Sequence, residues 1–537
     1  MPKTTDASHN AVKAPHAPNS LKAASVHVAR SAVLVASLFA ADKVLGLFRD
    51  AAVGHAFGAS AELDAYYAAF ELPDGLFTVI AGSAMATTLI PILAAHIGRG
   101  EHDHAWRLVS AVINLALLLV ASVGAVAALF APDVIRAVAP GFDAQQVALG
   151  AQLMRLVLLQ TFLFTASGIL VGVLRAYQHF LLPALAPLAY TLGRIVGVLW
   201  LAPRWGIFGL AWGGLGGAVI YFLVLLPGLI RFRARWTPTL FHPELRSVLA
   251  LMGPRILGLG ATYLNFVLPT FFGSRLADGA ISAYEYGWRV MQFPETIIGT
   301  ALGITVFPTL AELANAGDRE GLRQTASWAL RLMLALAVPA AMGLWVLGRP
   351  LTAMIFQRGA FGATTTERVY WGLQFFALGL IAHTALEVAG RLFYAQRDMW
   401  TPLWAALGGL AINALLGWLL LAELSHGGIA LANSLGAGAQ VLFLLWIAHR
   451  RLDGIEGRAL AVSLARTMAA SLVMVVVVSG FRRLVGAAAS TYLLGGGGML
   501  IGGVTYLGAA ILLGSEEIRQ LPALLRRGPE AVDSLPG

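Results

Sequence analysis

The chain carries GSA at residues 82–84 and LIPILA at residues 89–94, and a related pair, GTA at 299–301 and VFPTLA at 306–311, follows 217 positions later. Further landmarks recur in the same order at nearly the same spacing: AP 131–132 with RP 349–350, PGF 140–142 with RGAF 358–361, RAYQ 175–178 with RLFYAQ 391–396, and GIFGLA 206–211 with GIALA 428–432. This order indicates an internal duplication. A duplicated membrane domain with a site between its halves is a common plan of transporters.

The composition is that of a membrane protein. Of 537 residues, 58% are hydrophobic and 12% are charged, with a mean hydropathy of +0.74. Soluble globular domains carry about 25% charged residues. The 59 glycines, 23 prolines and 13 tryptophans fit packed and kinked spans. The chain has no cysteine, which excludes disulfides and thiolate metal sites.

Because a spanning helix needs roughly 20 largely apolar residues, we predict an all-α polytopic membrane protein with about fourteen transmembrane helices. Two pseudo-symmetric six-helix lobes are followed by two extra C-terminal helices. The predicted spans lie near 28–53, 62–96, 105–130, 147–175, 184–203, 207–230, 247–274, 281–312, 325–348, 368–393, 401–421, 427–448, 460–480 and 493–514. The predicted domains are a disordered cytoplasmic N-terminus at 1–26, an N-terminal lobe at 27–232, a C-terminal lobe at 247–450, spans 13 and 14 within 459–515, and a cytoplasmic tail at 516–537.

The distribution of arginine predicts the orientation. Cytoplasmic loops of membrane proteins are enriched in Lys and Arg. Arginines concentrate in the loops that face inside if both termini are cytoplasmic, with Arg349, Arg358, Arg482 and Arg483 as exceptions. The net charge of +9 then reflects loops that face an anionic leaflet. Since the arginines are scattered over many loops, we expect no nucleic-acid binding. We expect span 1 to be retained rather than cleaved as a signal peptide.

Ionisable residues lie within or at the ends of the first two spans of each copy. They are Lys43, Arg49, Asp50, Asp64, Glu71, Asp74, Arg275, Glu285, Arg289 and Glu295. An arginine at mid-bilayer costs about 2.5–3.5 kcal/mol on insertion scales, so such groups face a partner or a water-filled cavity. The set predicts a hydrophilic central cavity. The alternative is local pairing, for example of Glu285 with Arg289 one helical turn away, and snorkelling of Lys43.

Prolines mark matching places in spans 2 and 8: Pro73, Pro91, Pro294 and Pro308. Proline removes a backbone donor and bends a helix. Bent helices at matching places suit a cavity wall that opens alternately, although ordinary kinked packing would also produce them.

Other signals are weak. His102-Asp103-His104 offers metal ligands, but a solvated loop is the simpler interpretation, and we predict no metal site. The run Gly495–Gly498 lacks the Lys-Ser/Thr of a phosphate loop. The glycines at 213–214 and 216–217 indicate close helix packing. No nucleophile–base constellation stands out, so we do not expect an enzyme.

Several ordered motifs resemble the MurJ (MviN) family of lipid II flippases. They are KVLGLFRD 43–50, FGA 57–59, DAY 64–66, LPD 72–74, APGF 139–142, MGP 252–254, RVMQFP 289–294, the segment 299–308, FQRGAF 356–361, and YAQRD 394–398 before TP 401–402. The resemblance runs from about residue 28 to about 515, and each motif is short, but their order is specific.

The resemblance implies a two-lobed exporter fold of the multidrug/oligosaccharidyl-lipid/polysaccharide superfamily in the bacterial plasma (inner) membrane. The cargo would be the lipid-linked peptidoglycan precursor, moved from the inner to the outer leaflet. By position, Arg49 and Arg289 match family arginines that meet the pyrophosphate and head group, and Lys43 stands where the family often has arginine. Asp64 matches a functional family aspartate. A planar guanidinium suits a pyrophosphate.

One departure from the family pattern stands in span 2. The family usually has an arginine pair where this chain has Phe77-Thr78, and Gly82 replaces a frequent acid. Either another cation, with Arg275 as the candidate, supplies the missing contact, or the cargo has shifted.

The sequence therefore predicts an alternating-access lipid II flippase with no cofactor and no catalytic residue. We predict Arg49, Arg289, Lys43 and Arg275 as substrate-binding residues. Asp64, Asp50 and Glu285 are predicted to partner these charges or to take part in gating.

We expect the membrane potential or an ion gradient to drive transport, with sodium a candidate ion and Asn265 and Asn413 weak candidate ligands. Cell-wall synthesis enzymes are candidate partners. The alternatives are a flippase for another undecaprenyl-linked polysaccharide, a drug exporter of the superfamily, and a non-transporting membrane scaffold.

Overall fold

The computed structural model describes residues 18–520 except 82, 487 and 488, and within them every regular element is a helix. The first part of the chain forms α1 (Pro18–Phe57), α2 (Ala61–Leu76), α3 (Ser83–Gly98), α4 (His102–Leu129), α5 (Ala131–Val138), α6 (Ala144–Ala176), α7 (Leu181–Val196), α8 (Ala202–Trp205) and α9 (Ile207–Arg231). The second part forms α10 (Leu245–Gly273), α11 (Ala280–Glu295), α12 (Ala301–Ala316), α13 (Arg319–Phe356), α14 (Ala363–Ala395), α15 (Trp400–Leu424), α16 (His426–Arg451), α17 (Gly457–Val485) and α18 (Gly498–Leu512).

The helix boundaries repeat with the duplication that the sequence predicts. Five helices of the first copy begin 218 or 219 positions before their counterparts: α2 and α11, α3 and α12, α6 and α14, α7 and α15, and α9 and α16. Helices α17 and α18 follow the second copy. Both pack against α13, where Arg482 Nη1 donates to the Val346 carbonyl at 2.6 Å and the Tyr506 hydroxyl donates to the Ala335 carbonyl. The predicted fold class, two six-helix lobes and two further helices, is confirmed.

Eleven helical stretches of the described residues are long and apolar enough to cross a membrane. Three more charged helical passages, α1, α2 with α3, and α10, occupy the positions of predicted spans 1, 2 and 7. The protein is therefore a multi-pass membrane protein. Helix α1 begins at Pro18 rather than near residue 28, so the predicted disordered N-terminus includes nine helical residues. Residues 1–17 and 521–537 lie outside the described residues.

A π-helical turn interrupts the same helix in both copies. It covers Phe77–Ala81 after α2 and Thr296–Thr300 after α11, and in each copy a proline, Pro73 or Pro294, lies within the preceding four residues. Proline removes a helical hydrogen bond, and π-turns accommodate the resulting misalignment of the backbone. The prolines thus predicted irregular helices at matching places, but not the wider turn that follows them.

Glycines let α7 and α9 approach closely. A Cβ on Gly213 would lie 2.3 Å from the Gly197 Cα, and one on Gly193 would lie 2.3 Å from the Gly217 Cα. Both distances are far below van der Waals contact, so only glycine fits at this crossing. Gly216, on the same helix, would meet nothing within 4 Å. The predicted close packing therefore involves Gly213 and Gly217 but not Gly216.

The Gly213→Ala variant should lower the thermal unfolding midpoint of the purified protein, because the added methyl forces two backbones apart. Overpacking of this kind costs about 1–3 kcal/mol. Gly216→Ala is the matched control on the same helix and should leave the midpoint unchanged. Equal midpoints for the two variants, measured in one detergent, would contradict the packing.

Candidate functional site

A charged cluster joins the two copies near the middle of the bundle. On α1, Arg49 Nε lies 2.9 Å and Arg49 Nη2 lies 2.8 Å from Asp50 Oδ1. Arg289 Nη1, on α11, donates to the same oxygen at 3.0 Å. Arg289 Nη2 also lies 3.5 Å from Glu285 Oε2, one turn earlier. The four side chains keep 14–29% of their surface exposed. They are thus paired but still reachable by a ligand.

Arg194 on α7 adds a third guanidinium on the same side of the bundle. Its Nη2 donates to the Tyr66 hydroxyl at 3.3 Å, and its Cζ lies 5.9 and 5.8 Å from the ring centroids of Tyr66 and Tyr190. The Tyr190 hydroxyl in turn accepts from Gln160 Nε2 at 3.0 Å. We did not select Arg194 from the sequence, although an arginine inside the apolar predicted span 184–203 met the same criterion as Arg49.

The cluster has spare hydrogen-bond donors. The Nε atoms of Arg194 and Arg289 are buried and have no acceptor among the described residues. A guanidinium has five N–H donors. The guanidiniums of Arg49, Arg194 and Arg289 face the carboxylates of Asp50 and Glu285, and Asp74 also attracts Arg194. An anion with several oxygen atoms would supply the missing acceptors through charge-assisted hydrogen bonds.

The two other predicted cations lie elsewhere. Lys43 is exposed on α1, two turns before Asp50 on the same helix face, and attracts Glu295 electrostatically. Arg275 is exposed at the end of α10, where its Cζ lies 4.1 Å from the Phe271 ring centroid and 5.8 Å from that of Trp418. The structure therefore brings Arg194, rather than Arg275, to the cluster, because helix packing decides which distant arginine approaches Arg49.

No cation among the described residues pairs with Asp64. It is 3% exposed, and its carboxylate accepts hydrogen bonds from the Gly279 N–H at 2.7 Å, the Ser282 N–H at 2.7 Å and the Ser282 hydroxyl at 2.5 Å. These donors open α11, so the carboxylate caps a helix of the other copy and interacts favourably with its dipole. The part of Asp64 in gating stays a prediction.

The end of the bundle that contains Asp64 and the start of α11 is closed by turns whose backbones are in direct contact. We call it the outer end and define it by residues 57–61, where α1 joins α2. The Ala360 N–H donates to the His55 carbonyl at 2.8 Å, and Cβ atoms on Gly58 and Gly279 would lie 2.6 Å from the Ala360 oxygen and 2.4 Å from the Ala59 oxygen. Both glycines have positive φ, at 59° and 83°. The two copies are therefore in tight contact at this end.

The departure in span 2 has a structural counterpart. Phe77 begins the π-turn, and its ring lies 6.0 Å from that of Phe164, which makes an edge contact with Tyr190 at 4.9 Å. Aromatic packing thus replaces a charged pair here, and Arg194 is next to the same Tyr190 ring. Gly82 lies outside the described residues. Glu71 accepts from the Thr270 hydroxyl at 2.5 Å and joins α2 to α10.

The charges break the symmetry of the duplication. Arg49 lies eight residues before the end of α1, and Asn265 lies eight residues before the end of the corresponding helix, α10. Arg194 lies thirteen residues after the start of α7, and Asn413 lies thirteen residues after the start of the corresponding helix, α15. Asn413 Nδ2 donates to Asn265 Oδ1 at 3.1 Å. In the second copy the side chains at these two positions are also neighbours, but they are two neutral amides instead of two guanidiniums.

Two six-helix lobes with a charged cluster between them define the protein as a transporter of the multidrug and lipid exporter class. The fold matches the inward-facing conformation of a multidrug resistance MATE family transporter of the MOP superfamily (TM-score 0.64, 15% identity, 76% of this chain and 94% of that chain). It also matches the solved structure of a lipid II flippase MurJ in an inward closed conformation (TM-score 0.78, 23% identity, 91% of this chain and all of that chain).

The particular family is shown by sequence. The family model described as Lipid II flippase MurJ matches residues 53–495, and the chain belongs to this family. It is 31% identical to the lipid II flippase MurJ of Burkholderia cenocepacia over 436 residues, covering 79% of this chain and 84% of that protein. It is 27% identical to the probable lipid II flippase MurJ of Bdellovibrio bacteriovorus, covering 94% and 98%. The family consists of lipid transporters, not enzymes.

The Asp64→Asn variant should loosen the outer end, because an amide loses the negative charge and one acceptor oxygen that hold the start of α11. The natural absence of cysteine allows a single reporter, Ala280→Cys, at a position that is 6% exposed. Maleimide labelling of this cysteine in detergent should accelerate several-fold in Asp64→Asn. Glu62→Gln, an exposed carboxylate on the same helical turn, is the control. Equal labelling rates for both variants would refute this role.

Proposed function

We propose that this protein moves lipid II from the inner to the outer leaflet by alternating access through the space between its lobes. The observation that carries the proposal is the cluster of Arg49, Arg194 and Arg289, three guanidiniums from three helices with unfilled donor positions. A pyrophosphate offers several anionic oxygens to such donors. The family membership of the chain supports lipid II as the molecule that carries this pyrophosphate.

In the empty protein, Asp50 holds Arg49 and Arg289 by a single carboxylate oxygen. An arriving pyrophosphate would compete for these donors and would also reach the free Nε atoms of Arg194 and Arg289. Since Arg49 and Arg289 belong to different copies, one anion would bridge the lobes. The polyprenyl tail can stay in lipid, so only the polar head group has to cross.

The outer end has to open for release. Along α11, the rise from the cap residue Gly279 to Arg289 is about 15 Å at 1.5 Å per residue. Movement of α11 away from Asp64 would therefore break the outer closure and displace Arg289 from Arg49. Binding and gating would be linked through one rigid helix.

We propose the bacterial inner membrane as the location, with both termini in the cytoplasm. The support is the concentration of arginines in alternate loops, as the positive-inside rule requires. In this orientation the outer end faces the periplasm, and enzymes of cell-wall synthesis that make or use lipid II are the expected protein partners.

The membrane potential is the proposed energy source for resetting the empty protein. The cluster contains three arginines and the carboxylates of Asp50 and Glu285, and Asp74 also attracts Arg194. Each unit charge of this cluster that crosses the membrane as the protein resets is worth about 2.3 kcal/mol per 100 mV. Sodium remains the candidate coupling ion, with the hydrogen-bonded Asn265 and Asn413 as its candidate ligands.

Dissipating the membrane potential should reduce flipping of lipid II, and replacing sodium by potassium should also reduce it if sodium is the coupling ion. Flipping that survives both treatments would reject this energy source.

Two other functions are less well supported. A drug exporter of the superfamily or a flippase for another polysaccharide lipid would share the fold, but the family model that matches the chain is that of the lipid II flippases. A non-transporting scaffold would have no use for three guanidiniums brought together from three helices.

The Arg49→Ala and Arg289→Ala variants should abolish exposure of lipid II on the outer leaflet, measured in cells depleted of their own flippase and expressing this chain. Arg194→Ala should reduce exposure at least tenfold, because it removes a guanidinium that the pyrophosphate would contact. Arg275→Ala is the matched control, since Arg275 lies against Phe271 and Trp418, and it should retain exposure.

Protein levels and membrane insertion are compared for all four variants. Exposure that remains with Arg49→Ala and Arg289→Ala would refute the binding site. A well-inserted parent chain that gives no exposure would instead favour another lipid-linked cargo or the scaffold.

A further inference from the structure

A second cluster of ionisable side chains lies at the inner end of the bundle, which we define by the start of α10. His96 closes α3 and is 3% exposed. Its Nε2 lies 2.8 Å from Glu244 Oε2, next to α10, and its Nδ1 lies 2.6 Å from Glu101 Oε2, next to α4. Residues 148 positions apart in the sequence are thus brought into direct contact.

Two further histidines complete this cluster. The ring of His104 lies 4.7 Å from the ring of His96 and 4.6 Å from that of His242, measured between centroids. His104 belongs to the first turn of α4 and not to the solvated loop that we predicted for residues 102–104. His242 Nε2 is buried and has no hydrogen-bond partner among the described residues. One nitrogen atom of this cluster is therefore unfilled.

We propose that His96, His104 and Glu244 form a binding site for a divalent transition-metal ion, with zinc as the best match. One possible ligand atom from each of the three residues lies within 4.8 Å of the others. Two imidazoles and a carboxylate are a common ligand set for zinc. A tetrahedral ion with bonds of about 2.0 Å holds its ligand atoms about 3.3 Å apart, so no pair would have to close by more than roughly 1.5 Å.

The competing arrangement is a protonated His96 held between two carboxylates. It accounts for the contacts of Glu101 and Glu244, but not for the close, tilted ring of His104 or for the buried His242 Nε2, which has no partner among the described residues. Arg99 Nη2 lies 3.1 Å from His96 Nδ1 and would oppose a cation. Its side chain is 59% exposed and can turn into solvent.

Such an ion would fix the start of α10 to the end of α3 and to the start of α4. Helix α10 follows the connection between the two copies, so the ion would restrain the second copy against the first at the inner end. This site is separate from the arginine cluster, and its occupation does not depend on which lipid the protein carries.

The experiment is a titration of zinc chloride into the purified full-length protein by calorimetry, with cobalt(II) absorption as a second readout. The His104→Ala and Glu244→Gln variants should bind zinc at least tenfold more weakly and lose the visible band of tetrahedral cobalt. His102→Ala is the matched control, because His102 lies on the same turn but stacks on Tyr177. It should bind zinc as the parent does.

Background binding by other histidines, including His9 and His16, is common to all variants and cancels in the comparison. Unchanged thermal midpoints establish that each variant is folded, and His104→Gln, which keeps more of the side-chain volume, replaces His104→Ala if that variant unfolds. Parent protein that binds no more tightly than His104→Ala, or equal loss in His102→Ala, would overturn the site.

Discussion

One carboxylate oxygen joins the two halves of the charged site. Asp50 Oδ1 accepts from Arg49 of the first copy and from Arg289 of the second. Buried guanidiniums are costly unless they are paired, and removal of the shared partner would leave two cations facing each other. The relative position of the lobes is therefore tied to this charge pairing. Under the proposed function, an anionic cargo that replaced the pairing would influence the conformation of its carrier.

The two ends of the bundle are held by different chemistry. At the outer end, the Asp64 cap and glycines with positive φ allow backbones to meet with little intervening side chain. At the inner end, His96 and Glu244 connect α3 to the start of α10 through side chains. Short hydrogen bonds at a helix start can be broken and reformed without disturbing the core of either lobe. The outer contact is thus suited to repeated opening.

The site lies where the internal symmetry is broken. The duplication gives the two copies matching long helices and a π-turn after α2 and after α11, but Arg49 and Arg194 correspond to Asn265 and Asn413. Neutral amides can satisfy each other when buried, as Asn413 does at 3% exposure, whereas two arginines repel and require an anion. The same packing therefore produces a closed polar contact in one lobe and a pair of neighbouring guanidiniums in the other.

The sequence by itself determined the helical class and the duplication and identified Arg49, Asp50 and Arg289 as candidate site residues, because hydropathy, repeat spacing and intramembrane charge are local properties that each residue carries. It could not determine which distant groups meet. Arg194 rather than Arg275 approaches the cluster, and Asp64 caps α11 instead of pairing with a cation, because close helix packing sets those distances. The meeting of His96 with Glu244 was likewise decided only by tertiary structure, since one-dimensional spacing contains no information on how the start of α10 docks against α3.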